Sequence, residues 1–267
     1  MLIYLVTLIG FLGTLLIIPY FKSLLVESNI VRKNYKGDLI PVSIGIVFLP
    51  MLIVNSSIVR YFYKDNQIYI YLFGIIAMAF IGIIDDLIGN RDVSGLKGHF
   101  KSLFKGRLTT GGFKALFGGF VALFISVSIS NSIIDIIINT LLIALFTNLI
   151  NLLDLRPGRA IKGYILISLI ILFSVSLYYQ KILIMLLFSN VLAYFKEDLK
   201  AKAMMGDAGS NVLGISLGII VAGNFLFITR VIILILLIIV HIITEKYSLT
   251  KIIENNKILN YIDMLGR

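Results

Sequence analysis

The stretch Ile68 to Gly89, IYIYLFGIIAMAFIGIIDDLIG, is uncharged from Ile68 to Ile84 and then runs into two adjacent aspartates, Asp85 and Asp86. A run of that kind reads as a helix crossing most of a hydrocarbon layer about 30 Å thick, with the carboxylates at its end. Working outward, similar apolar runs fall at 2–20, 42–59, 115–130, 133–150, 164–179, 181–195, 210–228 and 231–243, so nine spans are expected in all. Composition agrees. The chain is 59% hydrophobic and 14% charged, and soluble domains carry about 25% charge. A soluble protein is therefore excluded, and 267 residues hold about nine or ten spans and little else. The expected fold is an all-α polytopic membrane protein. It is one domain over 1–267, with a bundle over 1–244 and a tail over 245–267.

The run that starts at Met1 has no basic leader and no small-residue cleavage site, so it reads as a retained span. The run 181–195 is the weakest, covering about 22 Å at 1.5 Å per residue, and reads as either a short or a re-entrant span. Placing the amino terminus outside leaves only Arg60, Lys64, Lys181 and Arg230 of the 24 Lys and Arg on the outer side. The other twenty then face the cytoplasm, the bias expected of a multi-pass protein of the cell membrane, and the carboxyl terminus is cytoplasmic. In a membrane chain the net charge of +10 first reports orientation and lipid contact, and no nucleic-acid partner is expected. In the tail, Leu249, Ile252 and Ile253 share one helical face and Ile258, Leu259, Ile262 and Leu265 another, with Asn255-Asn256 between them. Two short amphipathic helices on the inner surface are expected.

The chain has no cysteine and two histidines, His99 and His241, so any metal must be held by oxygen. Asp85, Asp86, Asp154 and Asp207 each follow an odd-numbered span and so converge at one face. A lone aspartate there is commonly an interfacial stop, but an adjacent pair is tolerated best beside a cation or with one member protonated. In Met205-Gly206-Asp207-Ala208-Gly209-Ser210 the small residues suggest open backbone amides at a helix start, a seat for phosphate. Asn148, Asn151 and Asp154 recur at helical pitch as one polar stripe, which serves either a site or interhelical contact. With Lys97, His99, Lys101, Lys105, Arg107 and Lys114, the set describes oxygen ligands for Mg²⁺, or the similar Mn²⁺, beside cations for phosphates. His241 reads as a core histidine. Ser210 has no histidine base in an evident motif, so it reads as a helix cap and not as a nucleophile.

These residues resemble the polyprenyl-phosphate sugar-1-phosphate transferases, which include the bacterial phospho-MurNAc-pentapeptide translocase and the GlcNAc-1-phosphate transferases. The similar segments are Gly37–Gly45 (GDLIPVSIG), Gly82–Gly89 (GIIDDLIG), Thr109–Leu116 (TTGGFKAL), Asn148–Asp154 (NLINLLD) and Met205–Ser210 (MGDAGS). The resemblance implies transfer of a sugar 1-phosphate from a UDP-sugar to a membrane polyprenyl phosphate, releasing UMP with Mg²⁺, in cell-wall (peptidoglycan) or surface-glycan synthesis. It implies Asp85 as proton acceptor at the lipid phosphate, a metal set of Asp85, Asp86 and Asp207, and Asp154 ordering the nucleotide phosphates. Lys97, Lys114, Asn148, Asn151, Gly206 and Ser210 would contact substrate, and a homodimer is compatible with the chain. After Asp154 the family usually continues Gly-Leu-Asp-Gly, whereas Leu155-Arg156-Pro157-Gly158-Arg159 stands here. Proline has no side-chain acceptor for a base, so either Arg156 and Arg159 clamp the donor's anionic part instead, or Pro157-Gly158 turns the loop and both arginines anchor to lipid head groups. The family's late histidine cluster and a tenth span are absent. A transporter of anionic lipid head groups and a non-catalytic binder of polyprenyl phosphate remain the other readings of the same residues.

Overall fold

The computed structural model describes residues 1–89, 106 and 109–267. Lys97, His99, Lys101, Lys105 and Arg107, all expected at the site, lie outside the described residues. The long helices among the described residues are α1 Leu2–Glu27, α2 Phe48–Tyr63, α3 Gln67–Ile88, α4 Thr110–Ile129, α5 Ile133–Leu153, α6 Arg159–Ser174, α7 Tyr178–Leu199, α8 Asp207–Asn224 and α9 Phe227–Lys246. Hydrocarbon offers backbone groups no partners, so a lipid-facing chain must satisfy them within helices. Six of the helices, α1, α2 with the 3-10 turn Ile44–Val47 before it, α3, α4, α5 and α9, are long and apolar enough to cross a membrane.

The other three depart from the apolar pattern for visible reasons. Helix α6 has 16 residues and begins on Arg159, while α7 carries Lys181, Lys196, Glu197 and Asp198. Helix α8 has 18 residues and is sheathed by protein, with every residue from Ala208 to Ala222 buried. Gly214 and Gly218 put its backbone so close to α5 that a Cβ on either would strike Thr147 or Ile143. Small residues spaced by four are how membrane helices approach this closely. Helix α3 crosses the amino end of α8 at Gly82, so the core forms around α8 and its first residue, Asp207, is held between α3 and α5.

The sequence reading omitted one element, a hairpin of β1 Val31–Lys33 and β2 Leu39–Pro41, with Val31 opposite Pro41. The Asn34 side-chain oxygen accepts from the Lys36 and Asp38 amides, and Gly37 takes φ +92°, which closes the turn. Beyond it Met204 N donates to Pro41 O, Ile44 N to Met204 O and Gly45 N to Met205 O. The hairpin thus ties the chain before α2 to the loop that starts α8.

The tail forms two short helices as expected, α10 Leu249–Asn255 and α11 Lys257–Met264. They fold back onto the start of α6. Arg159, 4% exposed, donates Nε and Nη2 to the two oxygens of Asp263, 5% exposed, both at 2.8 Å, and Nη1 to Thr250. Lys162 Nζ donates to the Ile262, Asp263 and Leu265 carbonyls, closing the end of α11. Arg267 joins Asp263 and donates Nε to Pro157 O.

Candidate active site

Asp85 and Asp86 lie in the last turn of α3, and Asp207 opens α8 directly opposite. Lys114, from the first turns of α4, reaches between them, with Nζ 2.5 Å from Asp207 Oδ2 and 3.6 Å from Asp85 Oδ2. The Asp85 and Asp207 carboxyls face each other, with the Thr110 hydroxyl beside Asp85. Asn151 on α5 completes the group. With its amide turned as its neighbours require, it donates to Asp207 Oδ1 at 2.6 Å and accepts from Lys114 Nζ at 2.9 Å. Two partly buried carboxylates, an ammonium and an amide therefore meet where the ends of four helices come together, although α3 and α8 are far apart in sequence.

Asp86 points elsewhere. Its Oδ1 accepts from Asp207 N at 3.0 Å, and its Oδ2 accepts from Ala208 N at 3.2 Å and Ser43 Oγ at 2.7 Å. The open amides expected at the start of α8 are consequently taken: an anion sits on the helix start, and it is the protein's own Asp86. Gly206 is required there, because its φ is +70° and a Cβ would run into Asp86 Oδ2. Arg32 from the hairpin donates to the Asp86 carbonyl oxygen at 2.6 Å. Arg32 and Ser43 were missed by sequence reasoning. Ser43 sits at the start of the apolar run 42–59 and Arg32 before it, neither beside a carboxylate in sequence, and only the fold brings them to Asp86.

A pocket of about 260 Å³ opens beside this cluster, lined among others by Arg32, Tyr35, Asp86, Asp154, Arg156, Pro157, Asp198, Gly206 and Asp207. Asp85, Lys114 and Asn151 adjoin it through Asp207. Asp154 follows the last turn of α5. Burial, and then the neighbouring carboxylates of Asp198, Asp207 and Asp86, push its carboxyl well above the ordinary carboxylate range. Asp198, also absent from the sequence reading, is 5% exposed and accepts from Gly158 N at 2.7 Å, which holds the loop after Asp154.

The expected polar stripe divides. Asn151 and Asp154 reach the site, while Asn148 is half-buried and makes no hydrogen bond among the described residues. Ser210 is fully buried and accepts from the Asn151 amide nitrogen at 3.1 Å; the residue capping α8 is Gly206, so the cap reading of Ser210 is corrected. The two-arginine clamp is corrected as well. Arg156 lines the pocket, paired loosely at its exposed edge with Glu254 at 3.3 Å, but the Arg159 fork is committed to Asp263 and faces the tail. His241 Nδ1 lies 2.8 Å from Leu237 O, and its Nε2 is buried without a partner among the described residues, so the core histidine is only half satisfied.

Among the described residues, no group of three or more His, Asp or Glu side chains closes around a metal position. What stands together is a pair of carboxylates bridged by an ammonium. Comparison with known families gives one match: the family described as Glycosyl transferase family 4 matches residues 68–224, from the start of α3 to the end of α8. No curated protein matches the chain.

Proposed function

The chain belongs to glycosyl transferase family 4, the family of polyprenyl-phosphate sugar-1-phosphate transferases, and on that premise we propose that it moves a sugar 1-phosphate from a UDP-sugar to a membrane polyprenyl phosphate. The observation that carries this reading is the Asp85–Lys114–Asp207 group beside a pocket lined by Arg32 and Arg156. Attack of one phosphate on another brings like charges together, so the chemistry needs positive charge held in place before the substrates arrive. Lys114, Arg32 and Arg156 supply it. Asp85 accepts the proton of the lipid phosphate as its oxygen attacks the sugar-bearing phosphorus, and the bond from that phosphorus to UMP breaks.

The donor set is all oxygen and fits Mg²⁺, or Mn²⁺, which binds few protein carboxylates and keeps water and substrate phosphate as its other ligands. Asp85 and Asp207 would hold it. Asp86, with three hydrogen bonds already accepted, would support it from behind through the α8 amides. A metal held by these residues would supply positive charge to offset that of the donor diphosphate. Asp154, whose carboxyl burial and the neighbouring carboxylates push toward the neutral form, is suited to donate a hydrogen bond to a donor phosphate, and Arg156 holds the anionic part in place of the family's second aspartate.

In this reading the nine helices α1 to α9 all cross or line the cell membrane, the amino terminus is outside, and the site faces the cytoplasm. A water-soluble donor then meets a lipid whose tail never leaves the bilayer, in synthesis of a cell-wall or surface glycan. The test is incubation of purified protein with polyprenyl phosphate, Mg²⁺ and a panel of UDP-sugars, with UMP and the lipid product read by mass. UMP released together with polyprenyl-diphosphate-sugar for at least one donor supports the proposal. Absence of UMP with every donor, from protein that still binds polyprenyl phosphate, overturns it in favour of a binder or transporter.

A further inference from the structure

The end of α3 remote from Asp85 carries a second polar pocket. It has a volume of about 490 Å³ and lies between the last turns of α2 and the first turns of α3, the junction of two helices apolar enough to span a membrane. Between 13 and 17 residues of helix separate its α3 lining, Leu72 to Ile68, from Asp85, or about 20–26 Å at 1.5 Å per residue. It therefore sits at the opposite membrane face from the catalytic group.

Three groups in it are left wholly or partly unpaired. Ser56 is 1% exposed, lines the pocket, and its Oγ has no hydrogen bond among the described residues. Arg60 Nε is buried without a partner, and the guanidinium reaches only Asn66 Oδ1, at 3.5 Å, while lying 5.5 Å from the centre of the Tyr69 ring. Lys64 ends α2 in the left-handed region and has no ion pair among the described residues. The nearest acid in sequence, Asp65, has Oδ1 occupied by the Gln67 amide. A buried donor left unmade is costly, so an unpartnered hydroxyl beside a lysine without an ion pair and a guanidinium held by one long hydrogen bond is a place that accepts something.

Snorkelling to lipid accounts for the basic residues of the crowded face, but this end holds few. Of the four expected here, Arg230 is consumed by Asp135 and Asn139. Arg60 and Lys64 share one pocket. Its far wall is apolar and aromatic, built from Ile68, Tyr69 and Leu72, which suits the glycerol and first methylenes of a lipid and offers nothing to a soluble ion.

We propose that this pocket binds the phosphate group of an anionic membrane lipid, with the Arg60 fork and Lys64 on its oxygens, Ser56 Oγ donating from below, and the acyl chains leaving past Tyr69 and Leu72. The site is independent of the transferase reading. The experiment is native mass spectrometry of the purified protein supplied with equal phosphatidylglycerol and phosphatidylcholine, repeated with millimolar inorganic phosphate. Wild type should retain phosphatidylglycerol at least tenfold over phosphatidylcholine, and phosphate should not displace it. Arg60→Gln/Lys64→Gln should lower that retention about tenfold and Ser56→Ala about threefold, with UMP release unchanged. Lys64→Gln, at an exposed position that cannot disturb the fold, should lower it severalfold by itself. Equal retention of the two lipids by wild type, or unchanged retention in Lys64→Gln, overturns the proposal. Displacement by inorganic phosphate would assign the pocket to a soluble anion and overturns the lipid assignment.

Discussion

Asp263→Asn removes the charge from a carboxylate that receives Arg159 through both oxygens and Arg267 through one, in a setting where Arg159 and Asp263 are 4% and 5% exposed. Taking one partner from a buried pair typically costs about 3–5 kcal/mol, because the remaining charge is stranded. The asparagine oxygen and Thr250 still accept from Arg159, which places the loss near the lower end, about 3 kcal/mol, or roughly 100-fold in an equilibrium. The tail is joined to the bundle mainly through this cluster and Lys162, so the loss falls on docking of residues 249–264 and not on the bundle. Hydrogen exchange in lipid nanodiscs reads it directly: amides of α10 and α11 should lose about two orders of magnitude of protection while those of α8 do not change. Because Arg267 also holds the Pro157 carbonyl, the loop lining the donor pocket should loosen, raising donor KM more than it lowers kcat. Arg159→Met/Asp263→Leu should restore protection, since removing both charges strands neither. Unchanged exchange in Asp263→Asn, or a double variant worse than the single one, would refute the reasoning. Acidity offers a second handle. Burial would raise the Asp263 carboxyl, but Arg159 and Arg267 outweigh it and hold it below the ordinary carboxylate range. A depressed carboxyl stabilises fully above its unfolded value near 3.9 and loses that contribution as pH falls through the folded one. Tail protection should therefore be flat from about pH 8 to 5 and fall only below about pH 4.

Asp85→Asn, Asp86→Asn and Asp207→Asn should each lose about 100- to 1,000-fold in UMP release, but only Asp86→Asn should also lower Tm, since its amide would turn a donor toward the α8 amides; normal Tm in Asp86→Asn would contradict the cap. Arg156→Lys should raise donor KM several-fold because lysine lacks the planar fork, whereas Arg159→Lys should act chiefly on exchange in the tail; equal KM for Arg156→Lys and wild type would release Arg156 from the donor site. With Lys257→Cys introduced into a chain that has no cysteine, an impermeant reagent should label it only after cells are opened, and labelling of intact cells would reverse the topology.

Each apolar run read from sequence has a helix beneath it, because a lipid-facing helix advertises itself in every residue, but the ends were displaced: the run 164–179 crosses the break from α6 into α7 and the run 210–228 the break from α8 into α9. Arg159 and Lys162 were assigned to a loop before a span starting at 164, yet they belong to the first turn of α6, and Asp207 belongs to α8. Bounding a span by its first charge cuts off the turns in which a protein-covered helix carries its functional residues, and the site is built from those turns. The convergence of Asp85, Asp86 and Asp207 was legible, since parity of spans alone brings them to one face. Their division of labour was not. Asp86 meets the Asp207 amide across 121 residues and Arg159 meets Asp263 across 104, and no local spacing distinguishes an aspartate that faces a neighbouring carboxylate from one that turns onto a helix start. Two arginines three residues apart look like a clamp for the same reason. Once helix α6 sets in at Arg159, that side chain turns to the tail while Arg156, one turn earlier and still in the loop, keeps the pocket. The departure at Pro157 gains its sense from this arrangement: a loop without the second aspartate is held from outside by Arg267 on the Pro157 carbonyl and Asp198 on the Gly158 amide, so the shape of the pocket in this chain depends on α7, which the matched family region includes, and on the tail, which lies beyond it.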